Sequence, residues 1–167
     1  MKKACLAIAL LLLQACAVTL KPTDYDFQED QIQPFNLSGK LAVINGQPSS
    51  ERIAVYTYGP TNIYSDLKSL TDLMVRQTLA QAQKRGMAKS GGSEKSIELK
   101  ILTIKSEAAF FHFNSKMEYQ VKLGNGDVFT KKVEHSSGDV KQDVNGCVAD
   151  GVIDLLQDDK VKAYLAQ

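Results

Sequence analysis

Lys116-Met117-Glu118-Tyr119-Gln120-Val121-Lys122-Leu123, then Gly124-Asn125-Gly126, then Val128 to Glu134: this stretch decides the fold class of the chain. Met117, Tyr119, Val121 and Leu123 alternate strictly with Lys116, Glu118, Gln120 and Lys122. That is the pattern of a strand with one buried and one solvated face. Asn-Gly accepts the positive φ values that a tight turn demands, so Val128 to Glu134 is expected to return antiparallel. Upstream, Ile97 to Ile104 alternates at first and becomes apolar on both faces. After a break at Ser106 to Ala109, Phe110 to Phe113 is expected to open the next strand. Three consecutive meandering strands follow from this reading.

Outward from the meander, two further strand signals precede it. Lys40-Leu41-Ala42-Val43-Ile44 stops at the turn dipeptide Asn45-Gly46, and Arg52 to Tyr58 closes at Gly59-Pro60. These two are expected to pair. Ser69 followed by Asp72 resembles a capping box, and no Gly or Pro interrupts Leu70 to Arg85. Lys84-Arg85-Gly86 gives the cation-then-glycine stop of a helix, with Leu70, Leu73, Met74, Leu79 and Ala80 as its apolar stripe. At the other end, Val140, Val144, Cys147, Val148, Val152, Leu155 and Leu156 recur at helical spacing. Gly146 and Gly151 lie inside this helix, where each costs about 1 kcal/mol relative to Ala, and they allow close approach to a sheet. Asp158 and Asp159 are placed to cap a last short helix. The order β-β-α-β-β-β-α predicts an α+β domain over residues 35–167. Its antiparallel sheet has about five strands, with two long helices packed on one face.

The N-terminus is of another kind. Lys2 and Lys3 precede an apolar run from Ala4 to Leu13, which is shorter than the roughly 20 residues a membrane-spanning helix needs. A basic region, a short apolar region and a small-residue cleavage site make a secretory signal peptide. Leu13-Gln14-Ala15-Cys16 resembles the bacterial lipobox. That resemblance implies removal of residues 1–15 and acylation of Cys16, whose three acyl chains would suffice for stable anchoring. Ala17 is not the Asp that commonly retains lipoproteins at the inner membrane, so the outer membrane, with the domain facing the periplasm, is the expected location. Residues 16–34 carry Pro22, Pro34 and the acids Asp24, Asp26, Glu29 and Asp30 without any regular period. They read as a lipidated N-terminus and flexible tether, with Tyr25, Phe27 and Ile32 as docking candidates.

Loss of Lys2 and Lys3 reduces 20 basic residues to 18 against 19 acids. A balance near zero excludes the basic surplus of a nucleic-acid binder, and membrane residence must come from acyl chains. With Cys5 in the signal and Cys16 at the lipid site, Cys147 is left without an intramolecular partner. Its place in the apolar stripe predicts burial. His112 and His135 have no ligand spacing for a metal, and neither Gly124-x-Gly126 nor Gly91-Gly92 has phosphate-cradle spacing. Cofactors and catalytic residues are therefore expected to be none. Phe110, Phe111 and Phe113 exceed what one strand face can bury, because successive residues alternate. Either the sheet is covered on both faces there, or an apolar patch is exposed as a candidate partner contact.

The layout resembles the small bacterial outer-membrane lipoproteins of the YajG-like family. The matching pieces are the helix from Ser69 to Gly86 and the tail from Val144 to Gln167, including Asp154-Leu155-Leu156-Gln157-Asp158-Asp159. Related layouts occur in auxiliary lipoproteins of ABC-type intermembrane lipid transporters. The resemblance brings no catalytic residues and is silent on ligand and partner; the leading expectation is a non-enzymatic envelope module that binds a protein partner. Its alternative is a lipid-handling accessory that holds an acyl chain between sheet and helices.

Overall fold

A computed structural model describes residues 17–89 and 92–167. The expected signal peptide (residues 1–15, with Cys5) and the expected lipid site Cys16 lie outside the described residues. Among the described residues nine strands run in chain order: β1 (Ala17–Thr19), β2 (Phe35–Ser38), β3 (Leu41–Asn45), β4 (Arg52–Tyr58), β5 (Thr61–Asp66), β6 (Gly86–Lys89), β7 (Lys95–Ala108), β8 (Phe113–Leu123) and β9 (Val128–Ser137). The helices are α1 (Leu67–Arg85), between β5 and β6, then α2 (Val140–Gln157) and α3 (Asp159–Ala166) after β9. The α+β class holds. The single five-strand sheet does not: among the described residues the strands form three sheets, ordered β3-β7-β8-β9, β1-β5-β4 and β2-β6.

The meander is the main sheet. β7, β8 and β9 pair antiparallel, with Val121 opposite both Leu99 and Phe129. Gly126, at φ 96°, makes the β8–β9 turn, where Leu123 N–H donates to the Asp127 carbonyl. β3 joins the other edge parallel to β7, and so does not pair with β4. At the end of β3 the Asn45 side-chain amide donates to the Lys68 carbonyl and Asp72 Oδ1, which ties the strand to α1. β4 instead forms a hairpin with β5 through Gly59, at φ 54°. The pairing differs from expectation because β5 (Thr61–Asp66) is too polar to show a strand pattern.

The apparently two-faced run in β7 has a local cause. Register shifts between Ile101 and Thr103, so Leu102 is an extra residue in a β-bulge. Ile97, Leu99 and Ile101 point inward before it, and Ile104 and Ser106 resume the inward phase after it. Side chains take up both backbone groups of Ile101. Its N–H donates to Thr71 Oγ1 of α1 at 3.2 Å, and its carbonyl accepts from Gln47 Nε2 at 2.8 Å.

α1 packs on β3 and β7, α2 packs on β8 and β9, and the two helices touch each other over the same sheet face. α1 begins one turn earlier than the capping-box reading: Asp66 is its N-cap and accepts from Ser69 N–H at 2.7 Å. α2 comes close to the sheet through its glycines. A Cβ at Gly146 would lie 2.3 Å from the His135 ring, and one at Gly151 would lie 2.6 Å from Met117 Cε and 3.2 Å from Met74 Cε. Asp158 caps α3 by accepting from Lys160 and Val161 N–H.

Residues 17–34 do not hang free as a tether. β1 pairs parallel with β5, Leu20 and Ile32 are buried, and Thr23 and Asn145 exchange two hydrogen bonds. Burial of Leu20 and Ile32 offsets the entropy lost in fixing the segment. The sequence hid this because the buried positions are separated by acids and prolines.

The Ile101 peptide supplies a test of the fold. Thr71→Val keeps the shape of the side chain and leaves a buried N–H without an acceptor. It is expected to lower unfolding free energy by about 1–3 kcal/mol, whereas Thr71→Ser should lose clearly less in the same denaturant titration.

Candidate functional site

Two places concentrate chemistry. The first is the β7–β8 hairpin tip. β7 continues to Ala108 and β8 begins at Phe113, with Ala109 N–H donating to the His112 carbonyl across the turn. The expected strand start at Phe110 is therefore a turn. Phe110 and Phe111 project from it, 92% and 89% exposed, with rings in edge-to-face contact at 5.0 Å. Phe113 separates from them. It is half-buried against the core, edge-to-face with Tyr56 at 5.4 Å. His112 is exposed on the same turn.

Beside the tip lies a cavity of about 460 Å³ whose walls include Val18, Leu20, Ile63, Phe113 and Val140, with Lys21 and Lys141. It joins β1 and the start of α2 to the base of the hairpin. The docking candidates lie elsewhere: Tyr25 packs edge-to-face on Phe27 and on His135, and Ile32 is in the core.

The second place is the contact between α2 and the sheet. Asp143, in the first turn of α2, is fully buried and accepts from Ser106 Oγ at 2.6 Å and Ser115 Oγ at 2.5 Å. The positive end of the helix dipole favours an acid there. Next to it, Cys147 is buried and its thiol points to the Ser115 and Val133 carbonyls at 3.5 and 3.8 Å. Burial, reinforced by Asp150 and Asp143, pushes that thiol well above its ordinary range. His135 Nδ1 pairs with Asp150 Oδ2 at 2.8 Å and not with the thiol. The hydrogen bond to Asp150 raises the imidazole, against the opposing effect of burial, with the charges of Asp150 and Asp143 adding to the rise. A nucleophilic cysteine needs a lowered pKa and a base in reach; this thiol has carbonyl partners and a raised one.

Further along α2, Tyr119 Oη donates to Asp154 Oδ2 at 2.7 Å and to the Gly151 carbonyl at 3.1 Å. Lys131 reaches Asp154 and Asp158 at 3.2 and 2.5 Å. Burial disfavours the Asp158 charge, but Lys131 and two helix N–H groups outweigh it and hold that carboxyl below its ordinary value. These contacts tie helix to sheet. Sequence reasoning missed Asp143 and its serines. The available signal was a pair of small polar residues, Ser106 and Ser115, at inward-facing strand positions. Among the described residues no group of three or more His, Cys, Asp or Glu is placed to hold a metal ion. No described helix is long and apolar enough to cross a membrane.

No protein-family model and no curated protein matches this chain. Among solved structures it is similar to a hypothetical protein of Chlamydia trachomatis. Identity is 8% and the TM-score 0.43, over 78% of this chain and 98% of the other.

Two measurements check the α2 contact. Cys147 is expected to resist a thiol reagent in the native protein and to react at once on denaturation; fast labelling of the native state would show an accessible thiol. Because the His135 imidazole is raised by folding, its pairing adds stability that is full below about pH 6.5 and fades as pH climbs through the raised value. The gap in unfolding midpoint between wild type and Asp150→Asn should accordingly be widest in mild acid and shrink in alkali.

Proposed function

We propose that this chain is a non-enzymatic lipoprotein of the outer membrane, anchored through Cys16, whose periplasmic domain serves as a binding or scaffold module of the cell envelope. The observation that carries the reading is the run Lys2 to Cys16, a signal peptide that ends in a lipobox-like Leu13-Gln14-Ala15-Cys16. The resemblance to the YajG-like lipoproteins belongs to the same reading. The structure adds a consequence. β1 starts at Ala17, the residue after the acylated cysteine, and is hydrogen-bonded to β5. On this reading the fold begins one residue past the lipid, which would hold the domain close to the leaflet.

The surface that faces away from the helices suits a scaffold. Lys116–Glu134, Lys132–Glu118 and Lys122–Glu98 form a cross-strand ladder of ion pairs at 3.5–3.6 Å. Exposed pairs of this kind add little stability, but they make a mixed-charge face of the sort that tunes partner selection and encounter rate. Nucleic acid is not among the partners we propose.

The lipid-handling alternative requires a continuous apolar space between sheet and helices. That space is filled: Met117, Tyr119, Met74 and Leu155 are buried there, and the methyl groups of Met117 and Met74 pack against Gly151. What favours the alternative is the cavity of about 460 Å³ beside β1, within the size range of ligand sites.

Cys16→Ala tests the anchor. The variant is expected to lose fatty-acid labelling and membrane retention while the domain still folds, and Cys5→Ala should behave as wild type. Undiminished labelling of Cys16→Ala would refute the lipoprotein reading, and fractionation with the inner membrane would refute the outer-membrane assignment.

A further inference from the structure

We infer that Phe110 and Phe111 form a second membrane contact, a hairpin tip that enters the lipid leaflet in which Cys16 is anchored; the inference rests on the lipoprotein reading of Cys16. The first support is position. Val18, two residues after Cys16, and Phe113, two residues after Phe111, line one cavity. The chain thus emerges from the anchor and the hairpin turns at the same end of the domain. β1 is paired with β5 and Phe113 is packed on Tyr56 of β4, so one small sheet fixes both points relative to each other. A domain that starts one residue past its lipid must present this end to the leaflet.

The second support is shape and chemistry. The two rings project from a turn, each about nine-tenths exposed. A protein-binding anchor more often stands within a flat, contiguous patch, whereas a projecting aromatic pair enters a fluid leaflet without needing a matching pocket. Ala108 and Ala109 lead into the turn, and Val18 adds exposed apolar surface beside it. Glu107, the one acid between Lys105 and Lys116, is held by Lys105 at 3.1 Å. Asp139, at the cavity, is occupied in capping α2. Lys105 and Lys116 face each other three rungs below the last pair of the hairpin, about 10 Å from it. With the rings in the acyl boundary, the ion pairs Lys105–Glu107 and Lys116–Glu134 lie in the headgroup layer. Two phenylalanines alone bind a membrane weakly. Next to a covalent anchor the same contact becomes intramolecular and is strongly favoured by effective concentration. Its consequence is orientation: two contact points hold the ion-pair face of the sheet in a fixed attitude to the membrane.

The chain has no tryptophan, so a single introduced one reports without background. Full-length, lipidated Phe111→Trp protein would be reconstituted into vesicles of phosphatidylethanolamine and phosphatidylglycerol, with and without bromine on the acyl chains. Emission of the tip reporter is expected to shift to the blue and to lose most of its intensity to the brominated chains. Val128→Trp, at the opposite end of the sheet, is expected to stay quencher-insensitive. Acylation is scored separately from the mass of the N-terminal peptide. An unquenched tip reporter on an acylated protein overturns the inference and leaves the anchor standing; an unacylated Cys16 overturns both. A blue-shifted reporter that brominated chains do not quench assigns the tip to a protein or a second copy of this chain, and so overturns the lipid contact. Equal quenching at both positions shows an unoriented domain and overturns it too.

Discussion

The fold turns on one peptide, that of Ile101. Up to Leu99 the outer edge of β7 is paired with β3; beyond it no strand is available, and the bulge at Leu102 leaves the backbone of Ile101 needing partners in the interior. A buried N–H or carbonyl without a partner is costly. Thr71 from α1 and Gln47 from the loop after β3 meet this need. The two contacts fix the position of α1 along the sheet and hold the loop against its edge. The bulge also keeps Ile104 and Ser106 in phase with Met117 and Ser115 across the ladder. One inserted residue thereby keeps the inward phase as far as Ser106, near the end of the hairpin.

The second helix is held by different means. Gly146 and Gly151 bring its backbone against His135 and Met117, too close for a side chain. Polar groups then have to be satisfied at short range. Asp143 takes two serine hydroxyls, Tyr119 reaches Asp154 and a helix carbonyl, and Lys131 bridges Asp154 to the cap of α3. The polar residues that resemble catalytic equipment, Cys147 and Asp150 of α2 with His135 of β9, belong to this joint. Their geometry fits packing, since the thiol faces carbonyls and the imidazole faces a carboxylate.

These two joints give the molecule distinct ends. At one are the β8–β9 turn and α3, with Tyr164 Oη bonded to the Ser96 backbone. At the other are β1, the start of α2, the cavity of about 460 Å³ and the exposed phenylalanine pair. The docking of residues 17–34 along the domain replaces a flexible reach by a fixed one. A lipid on Cys16 would then orient the domain as well as retain it, because there is no length of free chain to decouple the two.

Sequence alone determined what depends on local periodicity and on turn chemistry. The alternation from Met117 to Leu123, the Asn-Gly turn, the stripe of α2 with Cys147 inside it, and the cap at Asp158 each need only neighbours within a few residues. Tertiary structure decided what depends on partners far along the chain. β1, β2, β5 and β6 are short or polar and become strands because another edge needs hydrogen bonds. The pairing of β3 with β7 rather than β4 joins residues more than fifty positions apart. Leu102 reads as a second buried face until the register shift shows that it is an extra residue. Phe110 and Phe111 read equally as strand or patch, since an aromatic run has no period of its own. Only the pairing of Ala108 with Phe113 at the end of the ladder put them at the turn and in water.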